Sequence, residues 1–167
     1  PLIYANLIDF IKYAKIEERM SVGLITNGSL LNKNGEELAN LCSYIRISLD
    51  ACTAETHKKI RGSDDFDRII ENIKLIVGKK AEIGVQFVFC EDNASEAIAM
   101  ASFVKELGVD YLQYKPVVYY GKEEQLLKGA GFDYQNIIKQ ADDNFKVVVK
   151  IEEFNEVIKG REYKNCN

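Results

Sequence analysis

Apolar residues recur at every third or fourth position in three stretches of the chain, residues 2–19, 66–78 and 94–107. This spacing predicts helices that each bury one face. Short runs rich in β-branched and aromatic residues lie between or after these stretches and predict five strands. The predicted strands are residues 21–26, 44–49, 83–89, 111–117 and 146–151. Strands that alternate with helices indicate βα units and a parallel sheet, either doubly wound or part of a (β/α) barrel.

Two sequence signals predict where helices begin. Asn34 is followed three positions later by Glu37, and Asn93 is followed in the same way by Glu96. An asparagine can cap a helix, and a glutamate at this spacing can bond back to the capping residue. We therefore expect helices near Asn34 and Asn93, each with a carboxylate bonded to its own first turn.

One face of the predicted sheet is polar, although parallel strands covered on both sides usually form continuous apolar runs. The alternation of side chains along each strand assigns eight residues to this polar face. They are Thr26, Tyr44, Arg46, Ser48, Asp50, Gln86, Gln113 and Lys115. A polar face can line the interior of a barrel that holds a polar ligand. It can also be exposed to solvent or covered by a partner protein. The pattern alone leaves these alternatives open.

Polar segments also follow the predicted strands directly. They are Thr26-Asn27-Gly28, Ser48-Leu49-Asp50, Glu91-Asp92-Asn93 and Lys115-Pro116. Each by itself fits a turn or a helix cap. In a parallel βα fold, however, all of them converge on the carboxyl edge of the sheet, where ligands bind. Together they predict a ligand site at that edge.

Composition limits the possible partners and the compartment. The chain has 167 residues, of which 47% are hydrophobic and 29% charged, which suits one domain over residues 1–167 with a real core. The net charge of −4 favours neither nucleic acid nor an anionic membrane as a partner. No apolar run approaches the roughly 20 residues of a transmembrane helix, and no targeting segment is recognisable. We expect a soluble cytoplasmic protein.

The reactive residue types exclude several chemistries. Cys42, Cys52, Cys90 and Cys166 are too far apart to form a CxxC pair, and we interpret them as idle thiols in a reducing compartment. The one histidine, His57, is expected on the exposed face of a helix. Motifs of serine hydrolases, P-loop proteins, zinc proteases and dinucleotide-binding folds are absent. The sequence therefore assigns no catalytic residue and no metal ligand.

A set of motifs carries a resemblance to a known family. The motifs are Gly23-Leu24-Ile25-Thr26-Asn27-Gly28, Ile45-Arg46-Ile47-Ser48-Leu49-Asp50-Ala51, Ile60-Arg61-Gly62, Phe66-Asp67-Arg68-Ile69-Ile70-Glu71-Asn72-Ile73 and Gln113-Tyr114-Lys115-Pro116-Val117. In this order and spacing they resemble the middle of the barrel of a radical S-adenosylmethionine (SAM) enzyme. The resemblance covers essentially the whole chain. It implies an α/β fold, a partial TIM-like barrel of about five βα units from a six-unit-type barrel whose first two strands are missing.

The resemblance also implies two cofactors, SAM and a [4Fe–4S] cluster. Members of the family hold three irons with a CxxxCxxC loop, and the fourth iron chelates SAM. Reductive cleavage of SAM then yields a 5′-deoxyadenosyl radical, which abstracts hydrogen from the substrate. This chain contains no such loop, and Pro1-Leu2 resembles the end of a Gly-Gly-Glu-Pro segment that follows it in the family. We therefore expect the cluster ligands to precede the chain, and the chain alone to be inactive.

Individual roles follow from positions that match the family's motifs. Ser48 and Arg61 correspond to residues that contact SAM, and a guanidinium suits a carboxylate because it offers two parallel donors. Val117 or its neighbour corresponds to a residue that packs against the adenosine. Thr26 and Lys115 correspond to strand-end residues that line the barrel and meet the substrate.

The end of the chain suggests a further segment and a class of substrate. Cys166 in Tyr163-Lys164-Asn165-Cys166 resembles the first cysteine of an extension that holds auxiliary clusters in peptide-modifying relatives, and this extension would begin near residues 160–167. The implied partners are a peptide or small-molecule substrate and an electron donor. The alternative is a non-catalytic, barrel-like scaffold that docks a peptide or protein. In either case strand 21–26 predicts an open edge through which the chain can self-associate.

Overall fold

The computed structural model contains one sheet of five parallel strands. It describes residues 1–117 and 134–154. The strands are β1 (Gly23–Thr26), β2 (Tyr44–Ser48), β3 (Glu82–Phe89), β4 (Tyr111–Pro116) and β5 (Lys146–Val149). Their order in the sheet is β1-β2-β3-β4-β5, and every neighbouring pair is parallel. Strands that lie side by side in chain order form the wall of a barrel, whereas a doubly wound sheet reverses its order. The predicted α/β fold with a partial barrel is confirmed.

Helices connect these strands. They are α1 (Leu7–Ile16), α2 (Gly35–Leu41), α3 (Ala54–Arg61), α4 (Phe66–Ile76), α5 (Ala97–Glu106) and α6 (Tyr134–Ile138), with a 3₁₀ turn at Glu91–Glu96 before α5. Helices α1, α4 and α5 lie within the three predicted stretches. No helix in residues 1–117 or 134–154 is long and apolar enough to cross a membrane.

The residue pairs Asn34/Glu37 and Asn93/Glu96 do not form the helix-capping bonds that the sequence predicts. Asn34 does precede α2, but its side chain makes no capping bond, and Glu37 pairs with a lysine of α1. The side chain of Asn93 donates to the carbonyl oxygens of Asp50 and Val88, both at 2.9 Å. The prediction that Glu37 and Glu96 each bond to the first turn of their own helix is wrong. Glu37 pairs instead with Lys12, and Glu96 accepts the backbone N–H of Cys52.

The hydrophobic core lies between the helices and one face of the sheet. Ile45 and Ile47 of β2 are fully buried there, in the same hydrophobic cluster as Ile73 of α4. Burying an isoleucine side chain of this kind contributes about 1.5–3 kcal/mol. We call this side of the sheet the helix-covered face.

The opposite side of the sheet is called the inner face, because it would line a closed barrel. In β2, exposed or half-buried side chains alternate with buried ones, as predicted. Strand registers place further side chains beside those of β2. The inner face consists of Gly23, Ile25, Tyr44, Arg46, Ser48, Glu82, Gly84, Gln86, Val88, Tyr111, Gln113, Lys115, Lys146 and Val148.

Thr26 lies on the helix-covered face, so its predicted place on the polar face is wrong. The register pairs Thr26 with Ile47, whereas Ile25 takes the position beside Arg46. Thr26 is only 5% exposed, and its hydroxyl oxygen accepts the backbone N–H of Gly28 at 3.2 Å. A threonine at a strand end can thus serve the following turn, and its polarity does not indicate which face it occupies.

Candidate functional site

A cavity of about 200 Å³ opens at the carboxyl ends of β1 and β2. Its lining residues come from the two strand ends, from α3 and from the start of α4: Asn27, Ser48, His57, Arg61, Ser63, Asp65 and Ile69. The structure therefore brings Ser48 and Arg61 to one cavity, although thirteen positions separate them in the sequence. Complete small-molecule pockets measure roughly 300–1,000 Å³, so this cavity suits one part of a ligand.

Arg61 is the last residue of α3 and is held by a buried carboxylate. Its guanidinium forms an ion pair with Asp50, whose side chain is only 6% exposed. Asp50 also accepts the backbone N–H of Val88 at 2.8 Å. Burial raises the pKa of Asp50, whereas the Val88 N–H and Arg61 act in the opposite direction. A guanidinium has five N–H donors, so Arg61 keeps donors for a second anion beside Asp50.

His57 forms the wall of the cavity, and the prediction that it is exposed is wrong. Only 2% of the residue is exposed, its Nε2 lies 3.0 Å from Asp65 Oδ1, and its Nδ1 is buried without a hydrogen-bond partner. The ring also contacts Phe66 at a centroid distance of 5.7 Å. The start of α4 covers His57, and a helix of eight residues is too short for its own pattern to reveal this contact.

Asp65 is stabilised in its ionised form at this wall. The hydroxyl of Ser63 makes the largest contribution to lowering the pKa of Asp65, and His57 and Arg68 add to it. The carboxylate therefore orients the histidine, and both residues line the cavity together with Ser48.

Glu96 fixes the start of α3 and was missed as a site residue. Its carboxylate accepts the backbone N–H of Cys52 at 2.7 Å and the hydroxyls of Thr53 and Thr56 at 2.7 and 2.6 Å. Burial raises the pKa of Glu96, but these hydrogen bonds outweigh it and the net pKa is lowered. The position of Glu96 three residues after Asn93 suggested a local bond, and the sequence carries no signal for a contact with α3.

The other predicted ligand residues lie apart from this cavity. Lys115 is on the inner face of β4, one third exposed, and 3.9 Å from Glu153. Val117 follows β4, is half-buried, and donates its backbone N–H to the carbonyl of Phe89 at 2.8 Å. Thr26 lies at the carboxyl end of β1 on the helix-covered face. The structure does not bring these three residues to Ser48 and Arg61, and their roles stay predictions.

The described cysteines do not suit an iron–sulfur cluster, which binds thiolates. Burial raises the pKa of Cys42, Cys52 and Cys90, in the case of Cys52 to about 12. Within residues 1–117 and 134–154, no group of three or more His, Cys, Asp or Glu side chains could hold a metal ion. Cys166 and the predicted extension near residues 160–167 lie outside the described residues. A hydroxyl and a guanidinium at one cavity do fit a carboxylate such as that of SAM.

The family model of the radical SAM superfamily matches residues 1–104, which is more than half of the chain. The chain belongs to the radical SAM superfamily. The resemblance inferred from the motifs is thereby confirmed. The part of this radical SAM chain that matches the family model extends from α1 through most of α5, and it includes every residue that lines the cavity.

Curated relatives are longer than this radical SAM chain. An uncharacterised protein from Methanocaldococcus jannaschii is 35% identical over 123 residues, which cover 71% of the chain and 42% of the relative. A probable GTP 3′,8-cyclase from Saccharolobus solfataricus is 34% identical over 113 residues, which cover 66% of the chain and 36% of the relative. The chain thus spans less than half the length of these relatives.

A solved structure supports the architecture. A domain of a pyruvate-formate lyase-activating enzyme from Bacteroides vulgatus superposes with a TM-score of 0.64, covering 86% of this chain and 88% of that domain. The two sequences are 16% identical, so the likeness concerns the fold alone. It agrees with the partial barrel wall of the radical SAM chain.

Proposed function

We propose that this chain is the part of a radical SAM enzyme that binds SAM through the hydroxyl of Ser48 and the guanidinium of Arg61. The meeting of these two side chains at one cavity, at the carboxyl edge of the sheet, is the observation that supports the proposal. Arg61 can bind the carboxylate of SAM with two parallel donors, and Val117 is proposed to pack against its adenosine. The cavity accommodates the amino-acid end of SAM rather than the whole molecule.

The surrounding residues prepare Arg61 for this role. Asp50 restrains the guanidinium from one side, so that binding a second carboxylate requires little reorganisation of the side chain. Glu96 fixes the first turn of α3, which carries Arg61 at its other end. His57, which is 2% exposed, and Asp65 hold each other in the wall of the cavity.

Bound SAM would supply, in the complete protein, a 5′-deoxyadenosyl radical for hydrogen abstraction once an electron donor has reduced a [4Fe–4S] cluster. The ligands of that cluster are not among the described residues, and we expect them outside this chain. The substrate is proposed to be a peptide or a small molecule that contacts Lys115. Thr26 is buried on the helix-covered face and is not proposed as a substrate contact. The relatives named as probable GTP 3′,8-cyclases favour a small molecule.

The proposal is tested by SAM binding and by 5′-deoxyadenosine formation. The protein, including whatever segment precedes Pro1 in its gene, is reconstituted anaerobically with iron and sulfide and reduced with dithionite. We expect Ser48→Ala and Arg61→Ala each to weaken SAM binding at least tenfold, because a tenfold change in affinity corresponds to about 1.4 kcal/mol, within the range of one charge-assisted hydrogen bond.

Lys58→Ala is the matched control for the loss of a cation from α3. Lys58 lies on the same helix, is largely exposed, and pairs with Asp64 away from the cavity. It should bind and cleave SAM as the unmodified protein does. A folded, cluster-containing protein that neither binds nor cleaves SAM would contradict the proposal, and so would equal losses in Lys58→Ala and Arg61→Ala.

A further inference from the structure

Arg46 on the inner face has no carboxylate partner among the described residues. Its Nη1 donates to Oε1 of Gln113 at 2.9 Å, and its Nε is buried without any hydrogen-bond partner. A buried donor left unpaired is unfavourable, and more so when the group is charged. The arginine therefore has a buried donor that its contacts with the described residues leave unpaired.

Other cations on or beside the sheet are neutralised. Lys146, which the register places in the same row as Arg46, pairs with Glu82 at 3.1 Å. Arg61 pairs with Asp50 at the carboxyl edge. Arg46 differs from both, because its one side-chain partner among the described residues is the neutral amide of Gln113. Its positive charge is available to an anion from outside the described residues.

One edge of the guanidinium has no hydrogen-bond partner among the described residues. Because Nη1 is engaged by Gln113, the remaining donors include Nε and Nη2, which point in the same direction from the planar group. Two parallel donors of this kind match the two oxygens of a carboxylate or phosphate. Gln86 lies beside Gln113 on the inner face, and its side chain makes no hydrogen bond to a described residue.

Gly84 is the neighbour of Arg46 on β3. It lies between Arg46 and Tyr111 in the register, and a Cβ atom on it would come within 2.0 Å of the Tyr111 ring. The ring thus lies over a position without a side chain. Tyr111 lies in the same row as Arg46, so we expect its ring to turn aside when a ligand reaches the buried Nε.

We propose that Arg46, with the amide of Gln86, binds an anionic group of the substrate, a carboxylate or a phosphate. Gln113 orients the guanidinium by accepting from Nη1. Arg46 precedes Ser48 by two residues on the same face of β2, so the anion lies about 7 Å deeper in the barrel than Ser48. An anion anchored there directs the rest of the substrate towards the carboxyl edge. Assigning the anion to the substrate rests on the proposed radical SAM function, whereas anion binding itself does not.

The test uses ¹⁵N-labelled protein and the side-chain Nε–Hε signals of arginine in proton–nitrogen NMR spectra. The signal missing from the spectrum of Arg46→Gln identifies Arg46. Inorganic phosphate and acetate are titrated separately at constant ionic strength. We expect this signal to shift saturably, with half-saturation at about 1–10 mM, as suits a small anion bound by a few donors. The anion that binds more tightly identifies the phosphate or carboxylate class.

Two further variants separate a specific site from a general charge effect. Gln113→Glu puts a carboxylate against Arg46 and should abolish the saturable shift while leaving the guanidinium in place. Lys146→Gln removes a cation that is already paired in the same row, and its half-saturation should stay within twofold of the unmodified protein. Absence of a saturable shift in the folded protein overturns the proposal, and so does equal weakening by Lys146→Gln.

SAM binding is measured on the same samples, so that the two proposals can fail separately. If SAM binds but neither anion shifts the Arg46 signal, the anion site is refuted and the SAM site stands. If the anion binds but the reconstituted protein binds no SAM, the assignment of the anion to a radical SAM substrate is overturned.

Discussion

Asp50 is the single residue on which the position of Arg61 most depends. Its buried carboxylate contacts Arg61 and also accepts the backbone N–H of Val88. We expect Asp50→Ala to lower the free energy of unfolding by about 2 kcal/mol, because the Val88 N–H loses its acceptor and Arg61 loses its buried partner. Urea unfolding followed by circular dichroism measures the change.

Asp64→Ala serves as the control for Asp50→Ala. Asp64 also pairs with a cation of α3, Lys58, but their side chains are 76% and 65% exposed. Exposed pairs contribute little to stability, so no measurable change is expected. If both variants lost the same stability, Asp50 would have no special role in holding the site.

Sequence reasoning succeeded for residues whose positions follow from alternation along a strand. Arg46 and Ser48 lie on the inner face as predicted, because the period of two in β2 is unambiguous. It failed for Thr26 and His57. The hydroxyl of Thr26 accepts from the turn after β1, and His57 is covered by Phe66 of the next helix. In both cases the contact that fixes the side chain is made by a residue outside the strand or helix whose periodicity gave the prediction.

At the scale of elements, α3 depends on a carboxylate from another part of the chain. We expect Glu96→Gln to lower the free energy of unfolding by about 1 kcal/mol at pH 7, because an amide supplies one acceptor oxygen where the carboxylate supplies two. The folded-state pKa of Glu96 is lowered from its ordinary value of 4.5. The stability that Glu96 adds relative to glutamine is therefore fully present above pH 4.5. It is lost as the pH falls through the lowered folded-state pKa.

Thermal unfolding at a series of pH values between 7 and 3 tests this dependence. Glu106→Gln, an exposed change at the far end of α5, should leave stability at pH 7 unaltered. A difference between the unmodified protein and Glu96→Gln that persists unchanged at pH 3 would show that the charge of Glu96 does not stabilise α3.

The elements themselves were well predicted, because their periodicity is strong and local. The five strands lie within two residues of the predicted bounds. The side-chain contacts between different elements were harder to predict from the sequence. The side chains of Glu37, Asn93 and Glu96 all bond to distant elements, and no local rule anticipates which distant group will compete.

At the scale of the whole molecule, β1 is an edge of the sheet. In the described part of the chain it pairs with β2 alone, so the hydrogen-bonding groups along its other side are unpaired. We expect the isolated 18.9 kDa chain to self-associate along this edge, with an average mass that rises with concentration in sedimentation experiments.

Ile25→Lys should shift that equilibrium towards the monomer, because a charge on an edge strand opposes pairing with another strand. Ile25 is 43% exposed, and Ile98 on α5 is a matched control at 46%. Ile98→Lys should leave the association unchanged. A chain that stays monomeric at all concentrations, or an equal response to both changes, would contradict pairing through β1.

The fold class and the family could be inferred from sequence because both depend on the order of elements and on motifs at strand ends. The cavity could be inferred only in part. Ser48 and Arg61 were found through the resemblance, whereas the buried wall formed by His57 and Asp65 arises from packing between α3 and α4. The unpaired state of Arg46 could not be foreseen, since it depends on every side chain around it.

The missing side chain of Gly84 has an evolutionary consequence. The Tyr111 ring occupies the volume that a Cβ atom at position 84 would need. Positions 84 and 111 are therefore not free to change independently: relatives with a large aromatic residue at the second position should keep glycine at the first, and relatives with alanine or a larger residue at the first should have a smaller side chain at the second. Paired substitution at these two positions would be visible in an alignment of many relatives.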